Sequence, residues 1–209
     1  KHQGISFFLL DMSSPGVEVR PLAQANGSTH FNEVFLDGVR IPANQLVGDL
    51  HAGWGPARMV LTNEAAFIGR GGGSTSERLV ELAQMFGRQS DPVIRQGLAT
   101  AVIRERIIRL LGRRIREALR SEGASVIDSA LTKVFAAESK SHSGELASAI
   151  AGPAGVVNLD QVSRWIQAEL INRFTISIGG GTTEVQKNNL AERSLGLPRG
   201  PQSDRNTPW

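Results

Sequence analysis

The run Ile176-Ser-Ile-Gly-Gly-Gly-Thr-Thr-Glu-Val-Gln-Lys-Asn-Asn-Leu190, continued by Ala-Glu-Arg-Ser-Leu-Gly-Leu-Pro-Arg199, is the most informative part of this 209-residue chain. Three adjacent glycines follow an apolar, β-branched patch, so the backbone there can approach a neighbour with no Cβ in the way. Thr182 or Thr183 then stands where a helix N-cap belongs, and Glu184 to Ser194 reads as the amphipathic helix it opens. A glycine turn feeding a helix start presents unpaired N–H groups to an anion or a carbonyl.

Upstream of this turn the apolar spacing is helical. One helix is expected from about Asp160 to Phe174, with Val162, Trp165, Ile166 and Ile171 inward, after a break at Gly152-Pro-Ala-Gly155. Another covers about Ser125 to Ile150. A third runs from Val93 to Glu122, with Pro92 at its start and Gly123 at its end, as helix termini prefer. It carries Ile94, Leu98, Ala101, Ile108, Leu111, Ile115 and Leu119 on one stripe. Trp54 to Phe86 is mostly helical, although Gly69 and Gly71-Gly-Gly73 interrupt it at roughly 1 kcal/mol each relative to alanine. Before Gly53 the period falls towards 2. Ile5–Leu10, Val17–Leu22, Phe31–Leu36 and Val39–Ile41 read as strands, with Pro21 weakening the second. The fold class is therefore mainly α: an antiparallel four-helix bundle preceded by about fifty residues of β structure. The tail at 200–209 reads as extended.

Bulk composition excludes several classes. With 40% hydrophobic and 21% charged residues, the chain has the make-up of a water-soluble globular protein. No apolar run approaches the roughly 20 residues of a membrane span, and no signal-peptide pattern opens the chain. The first residue is Lys1, and the chain reads as a piece of something longer. Zero cysteines exclude disulfides and thiolate chemistry, in keeping with a cytoplasmic location. Four scattered histidines (His2, His30, His51, His142) show no metal-ligand spacing, so no metal site is expected. The arginines between Arg104 and Arg120 lack interleaved aromatics and are offset by Glu105, Glu117 and Glu122. They read as a solvated helix face, not a nucleic-acid surface.

Four blocks in order give the chain a resemblance to the acyl-CoA dehydrogenase family. They are Ile5-Ser-Phe-Phe-Leu-Leu-Asp with Ser14-Pro-Gly-Val-Glu-Val19; Phe31-Asn-Glu-Val-Phe-Leu-Asp-Gly-Val-Arg-Ile-Pro42 with Leu46-Val-Gly48 and Gly53-Trp54; Phe86-Gly87; and the Gly-Gly-Thr-x-Glu-Val-Gln segment with its Ala-Glu-Arg and Leu-Gly-Leu-Pro-Arg continuation. The resemblance implies that 1–50 is the C-terminal portion of a middle β domain and 51–199 the C-terminal helical bundle domain. It implies an FAD-dependent oxidoreductase that desaturates an acyl-CoA at its α,β bond. An electron-transfer flavoprotein is the implied acceptor, and a homo- or hetero-oligomer the implied assembly. The N-terminal half that would carry the main flavin contacts is not in this sequence, so the piece alone is not expected to be active.

The reaction needs a carboxylate base near neutral pKa and donors for the developing enolate oxygen. Most members carry that base in a Tyr-Glu-Gly-Thr turn, where this chain has Gly179-Gly-Gly-Thr182. A second subset carries it on the first helix of the C-terminal domain, and Leu61-Thr-Asn-Glu64 matches that position. Glu64 is thus the candidate base, with Val60, Leu61, Ala65, Ala66 and Phe67 to dry it and raise its pKa. Its bland alternative is an ordinary solvated glutamate. Gly180 is the candidate donor, through its backbone N–H, and small residues at 179–181 leave room for a branched or polycyclic acyl group. Phe86, Gly152, Gly155, Thr182 and Glu184 match cofactor-proximal positions, although glycine turns and a helix cap explain four of them equally well. Three departures stand out. Ala65 replaces the arginine after the base, Ala83 replaces the pyrophosphate-binding arginine before Phe-Gly, and Ala149-Ile-Ala-Gly-Pro153 replaces a Gln-x-x-Gly-Gly run. They motivate one rival reading within the family, a subunit of a heteromeric dehydrogenase with an incomplete FAD site; two further alternatives are a flavin-free helical interaction module and an acyl-CoA oxidase.

Overall fold

A computed structural model describes residues 2–67, 75–120, 126–157 and 160–200; the side chains of 62–67, 119 and 126–129 lie outside that description. The chain divides into two units, 1–67 and 68–209, and each is described by itself.

In the first unit, strand β1 (Val17–Leu22) pairs antiparallel with β2 (Phe31–Leu36), with Val17 opposite Leu36 and Leu22 opposite Phe31. Both strands fall where alternation places them. Pro21 is tolerated opposite Asn32 because each strand of a two-stranded ribbon has a free edge. The expected strand Ile5–Leu10 does not form. Its backbone bonds go singly to 45–53, from Leu9 N–H to the Gln45 carbonyl (3.0 Å), from Val47 N–H to Phe7 (2.8 Å) and from Gly53 N–H to Ile5 (2.8 Å). That facing segment contains a 3-10 turn at Ala43–Gln45 and offers no extended partner for a ladder, so only the isolated bridges Ile5–Ala52 and Phe8–Leu46 appear. Val39–Ile41 is likewise not a strand. Helix α1 (Trp54–Phe67) closes this unit. The glycines at 69 and 71–73 lie outside the described residues.

The second unit is helical: α2 (Thr75–Met85), α3 (Pro92–Arg120), α4 (Val126–Ala151), α5 (Gln161–Ile178) and α6 (Thr183–Asn189). Contacts run in opposite order along successive helices. Gly97 meets Leu146 while Arg104 reaches Glu138, and Ile166 packs near Gly155 while Lys133 reaches Ile176, so α3, α4 and α5 alternate in direction. The core joins Leu79, Leu82 and Ala83 of α2 and Ile94 and Ala101 of α3 to Leu146, Ala147 and Ile150 of α4 and Ile166 of α5. Leu79, Ile150 and Ile166 are sealed from solvent. Each helix supplies one apolar stripe, and four stripes facing inward bury one another.

Caps set the helix ends. Asp91 Oδ1 accepts from Val93 and Ile94 N–H, opening α3 with Pro92 in its first turn. Asp160 opens α5 through a reciprocal box with Ser163, which holds the Asp160 carboxyl below the usual carboxylate range. Gly144 permits close approach of α4 to α5, since a Cβ there would lie 2.7 Å from the Glu169 carbonyl oxygen. Beside it Lys140 and Glu169 form a half-buried ion pair.

Two helices differ from expectation. α5 continues four residues past Phe174, through Thr175-Ile-Ser-Ile178. The propensity penalty of β-branched residues is a few tenths of a kcal/mol each, and docking on α4 outweighs it. The last helix does not run evenly to Leu195; after Asn189 it widens into a π-helical turn at Leu190–Ser194.

Candidate functional site

The glycine turn between α5 and α6 is built by the two helices it joins. Gly179 N–H still bonds to the Thr175 carbonyl (2.8 Å), after which Gly180 (φ +67°) and Gly181 (φ +89°) turn into the left-handed region. Thr182 then caps α6, its hydroxyl oxygen accepting from Val185 N–H at 3.2 Å. Three side chains hold the turn. Lys133 of α4 donates its ammonium to the Ile176 carbonyl, the Thr183 hydroxyl donates to the Ser177 carbonyl (3.3 Å), and the Gln186 amide donates to the Gly180 carbonyl (3.1 Å). Partial burial lowers the Lys133 pKa from the usual lysine value. Among the described residues, the N–H group of Gly180 has no partner, while Gly179 and Gly180 form the centre of a tight turn that closes at Gly181. The Glu184 carboxyl is exposed and held below its ordinary value by its own backbone N–H, the Thr182 hydroxyl and Lys187. Thr182 and Glu184 are thus engaged with one another at the start of α6.

A second feature lies where α2 ends. Phe86, Met85, Ala154, Asp160, Val162 and Ser163 line a cavity of about 190 Å³. The fold therefore brings Phe86 to the turn that holds Gly152 and Gly155. Each glycine also has a local reason to be there. Gly152 (φ +56°) ends α4, and buried Gly155 faces Ile166, whose Cγ2 would lie 3.1 Å from an added Cβ. Gly87 (φ +65°) turns the chain out of α2, with Arg88 N–H on the Ala83 carbonyl.

Ala83 is fully buried, at 0% exposure, inside the core of the bundle. The lining of the cavity holds no cation, and its one charged group is the Asp160 carboxylate. These residues do not by themselves fit the pyrophosphate of a flavin dinucleotide, which needs charge-assisted donors.

Glu64 falls on α1, and its side chain lies outside the described residues. Val60 and Leu61, expected to dry it, stand exposed, as does Met59. On α3, Arg104 lies over the Phe135 ring and Arg109 pairs with Glu105, while Arg106, Arg113 and Arg116 are exposed. No group of three His, Asp or Glu is placed to hold a metal, and no helix is long and apolar enough to cross a membrane, among the described residues.

Lys133 and Gln186 have no counterpart in the sequence reading. Gln186 sits within the quoted Gly-Gly-Thr-x-Glu-Val-Gln block, but the direction of its side chain is a tertiary fact. Lys133 lies 43 residues from its acceptor. Its one local signal is a cation flanking the inward positions Ala130, Val134 and Ala137 at helical spacing.

The profile described as "Acyl-CoA dehydrogenase, C-terminal domain" matches residues 51–195, and the chain belongs to the acyl-CoA dehydrogenase family. It is 34% identical over 206 residues to the acyl-CoA dehydrogenase IpdE1 of Mycobacterium tuberculosis, covering 95% of this chain and 52% of that protein. It is 32% identical over 200 residues to the acyl-CoA dehydrogenase FadE34 of the same organism, covering 95% and 27%. The solved Tcur3481-Tcur3483 steroid ACAD shares the fold, with a TM-score of 0.80 at 24% identity over 95% of this chain and 53% of that one. The chain thus spans about half or less of the length of these proteins.

Proposed function

We propose that this chain is one subunit of a flavin-dependent acyl-CoA dehydrogenase that desaturates a bulky acyl-CoA thioester, with a different subunit completing the flavin site. The observation that carries this reading is the turn Gly179–Gly181, which offers the Gly180 N–H, unpartnered among the described residues, and no side chain. A thioester oxygen that gains negative charge as its α-proton leaves is stabilised by such a donor. The absent side chains leave space for a ring or branch, and the shared fold with a protein named as a steroid ACAD is in keeping with that.

With glycine at 180, the proton acceptor comes from elsewhere, and Glu64 on α1 is the proposed base. Its exposed neighbours Val60 and Leu61 become a dry wall only once an acyl group or a further subunit covers them. The flavin supplies the hydride acceptor when bound. The buried Ala83 and the acidic cavity lining argue that its phosphates are held by another chain. An electron-transfer flavoprotein would be the external acceptor that reoxidises the flavin.

The test is anaerobic titration of the full-length protein, with its partner, against a panel of acyl-CoAs, following the flavin band near 450 nm. Bulky acyl-CoAs are expected to bleach it, and Glu64→Gln to slow bleaching by about 10²–10⁴-fold with little change in binding. Unchanged bleaching by Glu64→Gln removes the base. Preference for a short straight chain removes the bulky substrate. One FAD per chain in a purified homomer removes the second subunit.

A further inference from the structure

We propose that Lys133 is a positioning residue of the thioester site: by bonding to the Ile176 carbonyl it holds the last turn of α5 in place and so fixes the direction of the Gly180 N–H offered to the substrate oxygen. This rests on the reading that the glycine turn meets the thioester.

The argument is one of hydrogen-bond succession. In an α-helix each N–H bonds to the carbonyl four residues before it. Gly179 obeys, with its N–H on Thr175. Gly179 then leaves the helix with an extended backbone (φ −61°, ψ 143°), so the next bond in the series, from Gly180 N–H to the Ile176 carbonyl, is not made, and the Lys133 ammonium, delivered from α4, satisfies that carbonyl. The one after would join Gly181 N–H to Ser177, and there the Thr183 hydroxyl occupies the carbonyl. Two successive acceptors are thus capped by side chains, and the Gly180 N–H has no partner among the described residues. The Gln186 amide fixes the far side of the turn through the Gly180 carbonyl, setting the peptide plane. Its Nε2 lies 2.9 Å from where a Cβ on Gly181 would stand. Capping of orphan carbonyls alone needs no lysine from another helix, since water serves at most helix ends. A half-buried cation does more: its charge-assisted bond holds the carbonyl, and with it the end of α5, more firmly than water does.

The experiment uses the full-length protein with its partner and two probes, cyclohexanecarbonyl-CoA and its thioether counterpart S-(cyclohexylmethyl)-CoA, which lacks the carbonyl oxygen. Wild type is expected to prefer the thioester, and its bound C=O stretch to shift to lower frequency. Lys133→Met is expected to weaken thioester binding about tenfold, the loss of one hydrogen bond to a partly charged oxygen. It should leave the thioether Kd unchanged and return the C=O stretch towards its solution value, and Lys133→Arg should restore both. A Lys133→Met protein that is folded and still discriminates between the probes as wild type does overturns the role of Lys133 alone. A wild type that binds both probes equally, or neither, removes the thioester reading itself. Amide exchange in wild type then judges Lys133 whether or not the methionine variant folds. The Gly179 N–H should be protected and the Gly180 N–H should exchange faster by orders of magnitude; equal protection of the two overturns the inference.

Discussion

The hairpin of the first unit and the bundle of the second treat apolar side chains in opposite ways. Val19, Leu22, Phe31, Val34, Phe35 and Leu36 are all exposed in β1 and β2, whereas Leu79, Ile150 and Ile166 are closed off in the bundle. A two-stranded ribbon has no second layer to pack on, and such hairpins are marginal alone in water. Four helices provide layers for each other. Order in the bundle therefore comes from its own interior, while order in the hairpin depends on what is laid over it.

The largest expected effect tests that contrast directly. Ile150→Ala or Ile166→Ala should each lower stability by about 2–5 kcal/mol, read from urea unfolding followed by helical circular dichroism. Val34→Ala, at 46% exposure, should stay within about 0.5 kcal/mol in the same assay. Equal losses at the two places would erase the distinction. A smaller effect sharpens it at two helical glycines, one in each unit. Gly144→Leu drives a side chain into the Glu169 backbone and should cost about 1–3 kcal/mol, whereas an equally large residue at Gly55, where an added Cβ meets nothing within 4 Å, should be far better tolerated.

The smallest effect is one of pH. Asp160 has a depressed carboxyl pKa in the folded protein, because the Ser163 N–H and hydroxyl stabilise its charged form. Its contribution is present above the unfolded aspartate pKa of about 3.9 and disappears as pH falls through the lower folded value. The Tm gap between wild type and Asp160→Ala should thus be visible at pH 7 and close as the pH drops below about 4. A gap that stays constant between pH 7 and pH 3 would deny the cap its electrostatic part.

Periodicity and punctuation exposed most of the fold in advance. Pro92, the breaker Gly152-Pro-Ala-Gly155 and the Thr182 cap mark helix ends by local chemistry, and those boundaries hold in the structure. Ile5–Leu10 misleads because an apolar run specifies burial, and strand formation needs in addition an extended partner that 43–53 does not offer. The end of α5 misleads for the converse reason: β-branched Ile176 and Ile178 argue locally against helix, and contact with α4 decides otherwise. Of the candidate site, the glycine turn was legible because positive φ requires glycine. The Lys133 contact was not, since it joins residues on two helices and leaves no spacing pattern between them.

Burial of Ala83 has a consequence for how such a chain can change. A guanidinium introduced at that position meets the dry interior between α2, α3 and α4, where an unpaired charge costs several kcal/mol. An arginine there therefore costs packing whatever else it brings, because the site has no room for a long charged side chain. Position 83 is held to a small apolar side chain by the tightness of the very interior that keeps the protein folded.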